Sequence, residues 1–339
     1  MRSRHSPERA AGASGRPIPS GKRSAGSVST VLGPIRAADL GFTLPHEHVI
    51  SFWDGSLLDS TLHPDWGRVE ELAVRKLTAA KQMGINSIVD MSTFEMGRDV
   101  ELLKRVSERS EVHIVCCTGL FAEEYGVPYY FRQMPPQQLT RLYVTEIEKG
   151  IGFSGARAGV IKIATGGREV TELEERIIGA AALAQRETGV PILTHTGRGG
   201  GGVRQIELLL QAGVPPEKVV IGHSDVSADL KYHLKLLKYG VYVGFDRIGL
   251  LAFISDEIRA HCIKALVDLG HAARLTMSLD AYATWIGHEA PPLAELERDY
   301  TYFMTSFVPL LRRVGVGDDT VREIMVENPR RLFELDAVT

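Results

Sequence analysis

From Val28 onward the chain repeats one rhythm: a short apolar run, often β-branched, a polar turn, then an amphipathic stretch with apolar residues at i, i+3 and i+4. The apolar runs predict strands at Phe42–Val49, Ser87–Ser92, His113–Gly119, Ala158–Thr165, Pro191–Thr196, Val219–Asp225, Val241–Arg247 and Leu275–Tyr282. The amphipathic stretches predict helices near Val69–Met83, Arg98–Glu108, Pro136–Gly150, Glu172–Thr188, Val203–Ala212, Ala228–Tyr239, Asp256–Leu269 and Leu296–Val314. Glycines such as Gly84, Gly150, Gly189 and Gly240 stand where helices commonly stop. A closing helix is predicted over Asp318–Leu335, interrupted at Glu327-Asn328-Pro329.

Eight strands alternating with eight helices over about 300 residues predict an α/β fold of the (β/α)8 TIM-barrel type. An open doubly wound sheet also alternates, but usually with fewer units, and no Gly-x-Gly-x-x-Gly follows the first strand. The run Gly197–Gly202 comes after the fifth strand and lacks the Lys-Ser/Thr of a phosphate loop, so it reads as a flexible loop on the active face.

Composition narrows the class without changing the fold. The chain has 339 residues, 44% hydrophobic and 24% charged, with formal net charge −3, enough for one large domain. Near-neutrality gives no electrostatic case for nucleic acid or an anionic membrane as partner. No apolar stretch approaches the roughly 20 residues of a membrane span. Cys116, Cys117 and Cys262 show no zinc or redox spacing and read as reduced thiols of a cytoplasmic protein. Residues 1–27 are rich in Arg, Ser, Gly and Pro and read as a disordered tail, leaving 28–339 as the barrel.

Chemistry in such a barrel collects at the C-terminal strand ends. Strand one ends with His46 and His48, alternate residues that face one side. Strand four carries Lys162 in an apolar run, strand five ends at His195, strand six at His223 and strand eight at Asp280. Alone, each has a plain structural reading: a satisfied core histidine, a buried lysine paired with an acid, an aspartate capping a helix. All six at one mouth point instead to a metal site. Burial favours the neutral amine of Lys162, which can add carbon dioxide to give a carbamate able to bridge two divalent cations, the arrangement of two-metal hydrolases.

With those residues placed, the sequence resembles the phosphotriesterase-like branch of the amidohydrolase superfamily, phosphotriesterases and phosphotriesterase-like lactonases together. The resemblance runs from about Thr30 to Phe333. It rests on GFTLPHEHV at Gly41–Val49, IVD-x-ST at Ile88–Thr93, GRDV at Gly97–Val100, TGL at Thr118–Leu120, AG-x-IKIAT at Ala158–Thr165, THTG at Thr194–Gly197, IGHSD at Ile221–Asp225 and NP at Asn328–Pro329. It implies that His46, His48 and Asp280 bind a more buried metal and His195 and His223 a more exposed one, bridged by Lys162 as N6-carboxylysine. The metals would be Zn2+ first, with Co2+, Mn2+ or Fe2+ as alternatives. A bridging hydroxide would attack, Asp280 would take its proton, and the protein would be a homodimer.

Three departures bear on substrate. Strand eight ends Ser278-Leu279-Asp280, keeping only the ligand of the family's Ser-His-Asp or Ser-Asn-Asp. Val226 stands where relatives place a proton-relaying Asp, with Asp225 just before it. Arg247, where organophosphate hydrolases have His, is lactonase-like, whereas the strand-three loop around Tyr125 matches the lactonases' metal-side Tyr poorly in spacing. Tyr125, Arg247 and Trp285 are the substrate-side candidates, with Arg247 also catalytic beside Asp280 and Lys162. The first expectation is a lactonase or carboxylesterase with promiscuous phosphotriesterase activity. An organophosphate or phosphorylated sugar lactone hydrolase is the alternative, and a non-catalytic metal-binding barrel the third reading.

Overall fold

The computed structural model describes residues 25–167, 169–197, 201–287 and 298–335. It opens with an antiparallel hairpin, β1 (Ser27–Thr30) and β2 (Gly33–Arg36). The hairpin docks on the start of the barrel: Val31 N–H donates to the Ile114 carbonyl at 2.9 Å, and a Cβ at Gly159 would lie 2.6 Å from the Ser29 carbonyl oxygen.

The next seven strands pair parallel in chain order: β3 (Thr43–Ser51), β4 (Ser87–Asp90), β5 (His113–Gly119), β6 (Val160–Thr165), β7 (Ile192–Thr196), β8 (Val219–Ile221) and β9 (Tyr242–Phe245). The eighth strand of the sequence pattern is divided. Its first part, β10 (Leu275–Met277), pairs with β9, and its second, β11 (Tyr282–Trp285), pairs with β3. Ser278–Ala281 between them stays in the wall, since Ser278 N–H donates to Phe245 O and Asp280 N–H to His46 O. The sheet thus closes on itself into the expected (β/α)8 barrel.

Helices α1 (Trp66–Gln82) and α2 (Val100–Ser110) follow β3 and β4, and a short α3 (Tyr129–Arg132) with α4 (Pro136–Glu148) follows β5. Then come α5 (Glu172–Thr188), α6 (Gly202–Gln211), α7 (Leu230–Leu237) and α8 (Asp256–Asp268), one after each of β6 to β9. The chain finishes with α9 (Val308–Arg313), α10 (Asp318–Arg322) and α11 (Asn328–Phe333). Asp65, Asp99, Asp229 and Ser255 each accept a first-turn N–H, and Thr171 forms a capping box with Glu174, which explains where these helices start.

Both late helices carry a π-helical turn, Phe303–Phe307 and, at the interruption expected around Glu327–Pro329, Glu323–Glu327, each immediately before a helical segment with proline in its first turn. Pro309 and Pro329 lack the N–H a helix interior needs, so the wider turn absorbs the break. Inward residues Val89, Met91, Val115, Cys117, Val160, Leu193, Val220 and Tyr242 fill the barrel, and a larger apolar layer lies between sheet and helices. Gly119 marks how tightly β5 meets β6: its φ is +123°, and a Cβ would lie 1.9 Å from the Lys162 carbonyl oxygen. The tail expected over 1–27 lies almost wholly outside the described residues, and among the described residues no helix is long and apolar enough to cross a membrane.

Candidate metal centre

All six expected ligands come together, buried, at the C-terminal mouth. The strand alternation that puts His46 and His48 on one side of β3 brings both Nε2 atoms toward Asp280, whose Oδ1 is 3.3 Å from His48 and 3.8 Å from His46. Its Oδ2 is 3.9 Å from His223 Nε2. Lys162 Nζ lies 2.8 Å from His46 Nε2, and His223 Nε2 faces His195 Nδ1 at 2.8 Å. His223 and Asp280 hold positive φ of 56° and 54°, backbone strain concentrated at two of the candidate ligands.

The far sides of the rings decide which nitrogens are bare. Asp246 accepts from His46 Nδ1 at 3.0 Å and from both the Nδ1–H and the backbone N–H of His223 at 2.7 Å. Ser92 donates its hydroxyl to Ile50 O, so its oxygen accepts from His48 Nδ1 at 2.9 Å. Each of these three rings therefore spends its proton on Nδ1 and turns a lone pair on Nε2 inward. His46, His48 and Asp280 offer donor atoms within 4.8 Å of one another, as do His46, His223 and Asp246. In the second group Asp246 is already occupied by ring and backbone N–H groups, which leaves the first with the freer donor atoms and Asp246 behind the rings of His46 and His223.

Burial, then the Lys162 charge, hold His46 down to about 3, so its contact with Asp246 is a neutral-ring hydrogen bond rather than an ion pair. Burial also lowers His195 well below and His223 below the ordinary histidine value, with the neighbouring His223 and Arg247 charges adding to the respective effects. The Lys162 amine is brought down to about 8 by burial, against the pull of Asp280 and Asp246. Burial opposes ionisation of Asp280, but His223, His48, His46 and Arg247 outweigh it and keep the carboxylate well below its usual range. Neutral rings at His46, His195 and His223, an ionised carboxylate and an amine within reach of neutrality form a donor set that fits divalent cations.

This geometry has relatives. The Phosphotriesterase family profile matches residues 26–333. The chain belongs to the phosphotriesterase family. A "phosphotriesterase homology protein" of Mycobacterium tuberculosis is 34% identical over 320 residues, covering 91% of this chain and 97% of that one. An aryldialkylphosphatase of Saccharolobus solfataricus is 30% identical over 310 residues, covering 88% and 96%. The solved structure of a Deinococcus radiodurans PTE-like lactonase mutant superposes with a TM-score of 0.85 at 36% identity, covering 90% of this chain and 99% of that one. The protein is a metal-dependent hydrolase of ester-type bonds.

Within this phosphotriesterase-family site, Arg247 is not the solvated ion-pair partner that an exposed arginine usually becomes. It is 9% exposed, its Nε donates to Asp280 Oδ2 at 3.2 Å, and its guanidinium lies 4.9 Å from the Phe253 ring centroid. Asp225 is tied to two arginines: its Oδ2 accepts from the Arg247 backbone N–H at 3.0 Å and from the buried Arg259 Nε at 2.9 Å. Glu123 pairs with Arg132 at 2.8 Å. Arg198 and residues 288–297, with His288 among them, lie outside the described residues.

Tyr125 and Trp285 join an aromatic wall with Phe121, Tyr282 and Trp53, the last of which the sequence pattern did not single out. Trp53 stacks on Tyr125 (5.3 Å, 9°) and meets Trp285 edge-on at 5.2 Å. Phe121 stands edge-on to His195 at 4.7 Å, and Tyr282 stacks on His48 at 4.4 Å. Asp246 and Ser92 were also missed as partners. Their one sequence signal was a polar residue at the end of an otherwise apolar strand run.

Proposed function

We propose that the protein hydrolyses lactones and simple carboxylic esters, with phosphotriester hydrolysis as a side activity. Two divalent cations, Zn2+ first, would be held by His46, His48 and Asp280 and by His195 and His223, with Lys162 carboxylated on Nζ and shared between them. When bound, two such cations polarise the substrate oxygen and make hydroxide available near neutral pH. The neutral Lys162 amine adds carbon dioxide, forming an N–C bond and releasing one proton. Asp280 takes the proton of the attacking water, and Arg247, 3.2 Å away, keeps that carboxylate charged and oriented. The wall of Trp53, Tyr125, Phe121 and Trp285 receives an apolar acyl or alkoxy portion and excludes water. A homodimer in the cytoplasm completes this reading.

The observation that carries the lactonase assignment is Arg247, fixed in a short loop between β9 and α8 and hydrogen-bonded to Asp280. The aryldialkylphosphatase relative favours the second reading, an organophosphate hydrolase on the same ligands. Metal-loaded enzyme assayed on acyl-homoserine lactones, γ- and δ-lactones, aryl esters and paraoxon-like triesters separates them. The expected order of kcat/KM puts a lactone first, and a triester ahead of every lactone and ester would transfer the assignment to the second reading.

A further inference from the structure

Between the two histidines of β3 sits a carboxylate that none of the chemistry above uses. Glu47 is 0% exposed and points away from the ligands. Burying a carboxylate is costly unless its oxygens are satisfied, so its partners indicate why it is there. Its Oε1 accepts from the Ser278 hydroxyl at 2.7 Å and the Leu279 N–H at 2.8 Å, and its Oε2 from the Ala281 N–H at 2.9 Å. These donors lie 231 to 234 residues downstream and bracket Asp280. Ser278 Oγ in turn accepts the His46 backbone N–H at 3.0 Å, and Asp280 N–H donates to His46 O at 3.1 Å.

The turn carrying Asp280 is thus wrapped around one side chain. Asp280 itself has φ of 54°, a conformation that persists only where the surroundings impose it. The geometry points to Glu47 as the positioning residue that holds Asp280 in ligating geometry against His46 and His48. It acts through the Ser278–Ala281 turn and never touches the reacting atoms. The inference rests on the reading of Asp280 as a metal ligand.

Glu47→Gln is the direct test. Its oxygen can keep the Ser278 and Leu279 donors, but its amide then faces the Ala281 N–H, donor against donor. Full-length protein loaded with Zn2+ is titrated with graded chelator, and bound metal is counted by mass spectrometry. Outer-sphere partners of metal ligands are typically worth about 10- to 100-fold in metal affinity. The expected result is a shift of that size for one of the two metals only, with kcat at saturating metal reduced and KM within about twofold of wild type. A general packing defect would lower thermal stability without singling out one metal. Ser278→Ala, which removes one donor and leaves the carboxylate, is expected to shift the same metal by a smaller factor, and it carries the test alone should Glu47→Gln not fold. A wild-type chelator profile in the folded variant overturns the inference. Asp280→Asn run alongside separates the two levels: if it keeps both metals, the ligand reading falls, whereas loss of metal there with retention in Glu47→Gln removes only the role of Glu47.

Discussion

Replacing Asp246 by asparagine tests how the site sets its tautomers. The carboxylate accepts three N–H groups, two from His223 at 2.7 Å and one from His46 at 3.0 Å. In Asp246→Asn the single carbonyl oxygen is best placed against His223, where it satisfies two donors. The amide NH2 then faces His46 Nδ1, and two N–H groups cannot share that contact. His46 relieves it by moving its proton to Nε2, the atom 2.8 Å from Lys162 and turned toward Asp280. A protonated Nε2 has no lone pair to give, so one ligand is lost while the fold and His223 are retained. At about 10- to 100-fold per disrupted outer-sphere partner, the cost is about 1.4 to 2.7 kcal/mol of metal binding. Chelator titration of the Zn2+-loaded variant should show one weakened site, with kcat/KM lowered in parallel. An unchanged chelator midpoint with kcat/KM within twofold of wild type would refute the tautomer argument.

Other expectations follow from the same contacts. Trp53→Ala removes the ring joining Tyr125 to Trp285 and should raise KM for aryl esters and long-chain lactones by roughly 3- to 10-fold. An equal effect on an unsubstituted γ-lactone would count against an apolar subsite. Arg259→Leu leaves Asp225 and Asp256 buried without their partner at 2.9 and 2.8 Å and should destabilise the protein by about 3–5 kcal/mol. The urea midpoint measures this, and an unshifted midpoint contradicts it. Reconstitution of metal-free enzyme with Zn2+ and bicarbonate should quicken with pH. With the Lys162 amine at about 8, its reactive neutral fraction rises about tenfold per pH unit below that value and levels off above it. Rates independent of pH between 6.5 and 8.5 would remove the carbamate from the scheme.

The barrel was legible because its two periodicities are clean, and the cluster of candidate ligands because four histidines, a lysine and an aspartate at the strand ends of one barrel are hard to explain together as core residues. What escaped was whatever depended on contacts between distant strands. Asp246 reads in the sequence only as a polar residue at the end of the Val241–Arg247 run, and its role appears where the rings of His46 and His223, from two other strands, meet on it. The break in strand eight was invisible because Leu275–Tyr282 reads as one apolar run, and only the positive φ of Asp280 divides it. Trp53 sits in an irregular stretch with no periodicity to assign it a face, and Tyr125 and Trp285, which define its role, come from segments far away in sequence, after β5 and on β11.

The divided eighth strand also sets an order of assembly. Three of the ligand positions, His46, His48 and Lys162, lie in the first half of the chain, but Asp280 arrives only with the last barrel strand, which closes the wall by pairing with β9 at one level and β3 at the next. During synthesis a growing chain can form most of the parallel sheet and still lack a complete site. Metal capture then reports that the ring has closed, and a chain that has not closed presents open sheet edges on β3 and β9 instead. Cations held by His46, His48 and Asp280 would act as a latch across the seam where the first barrel strand meets the last.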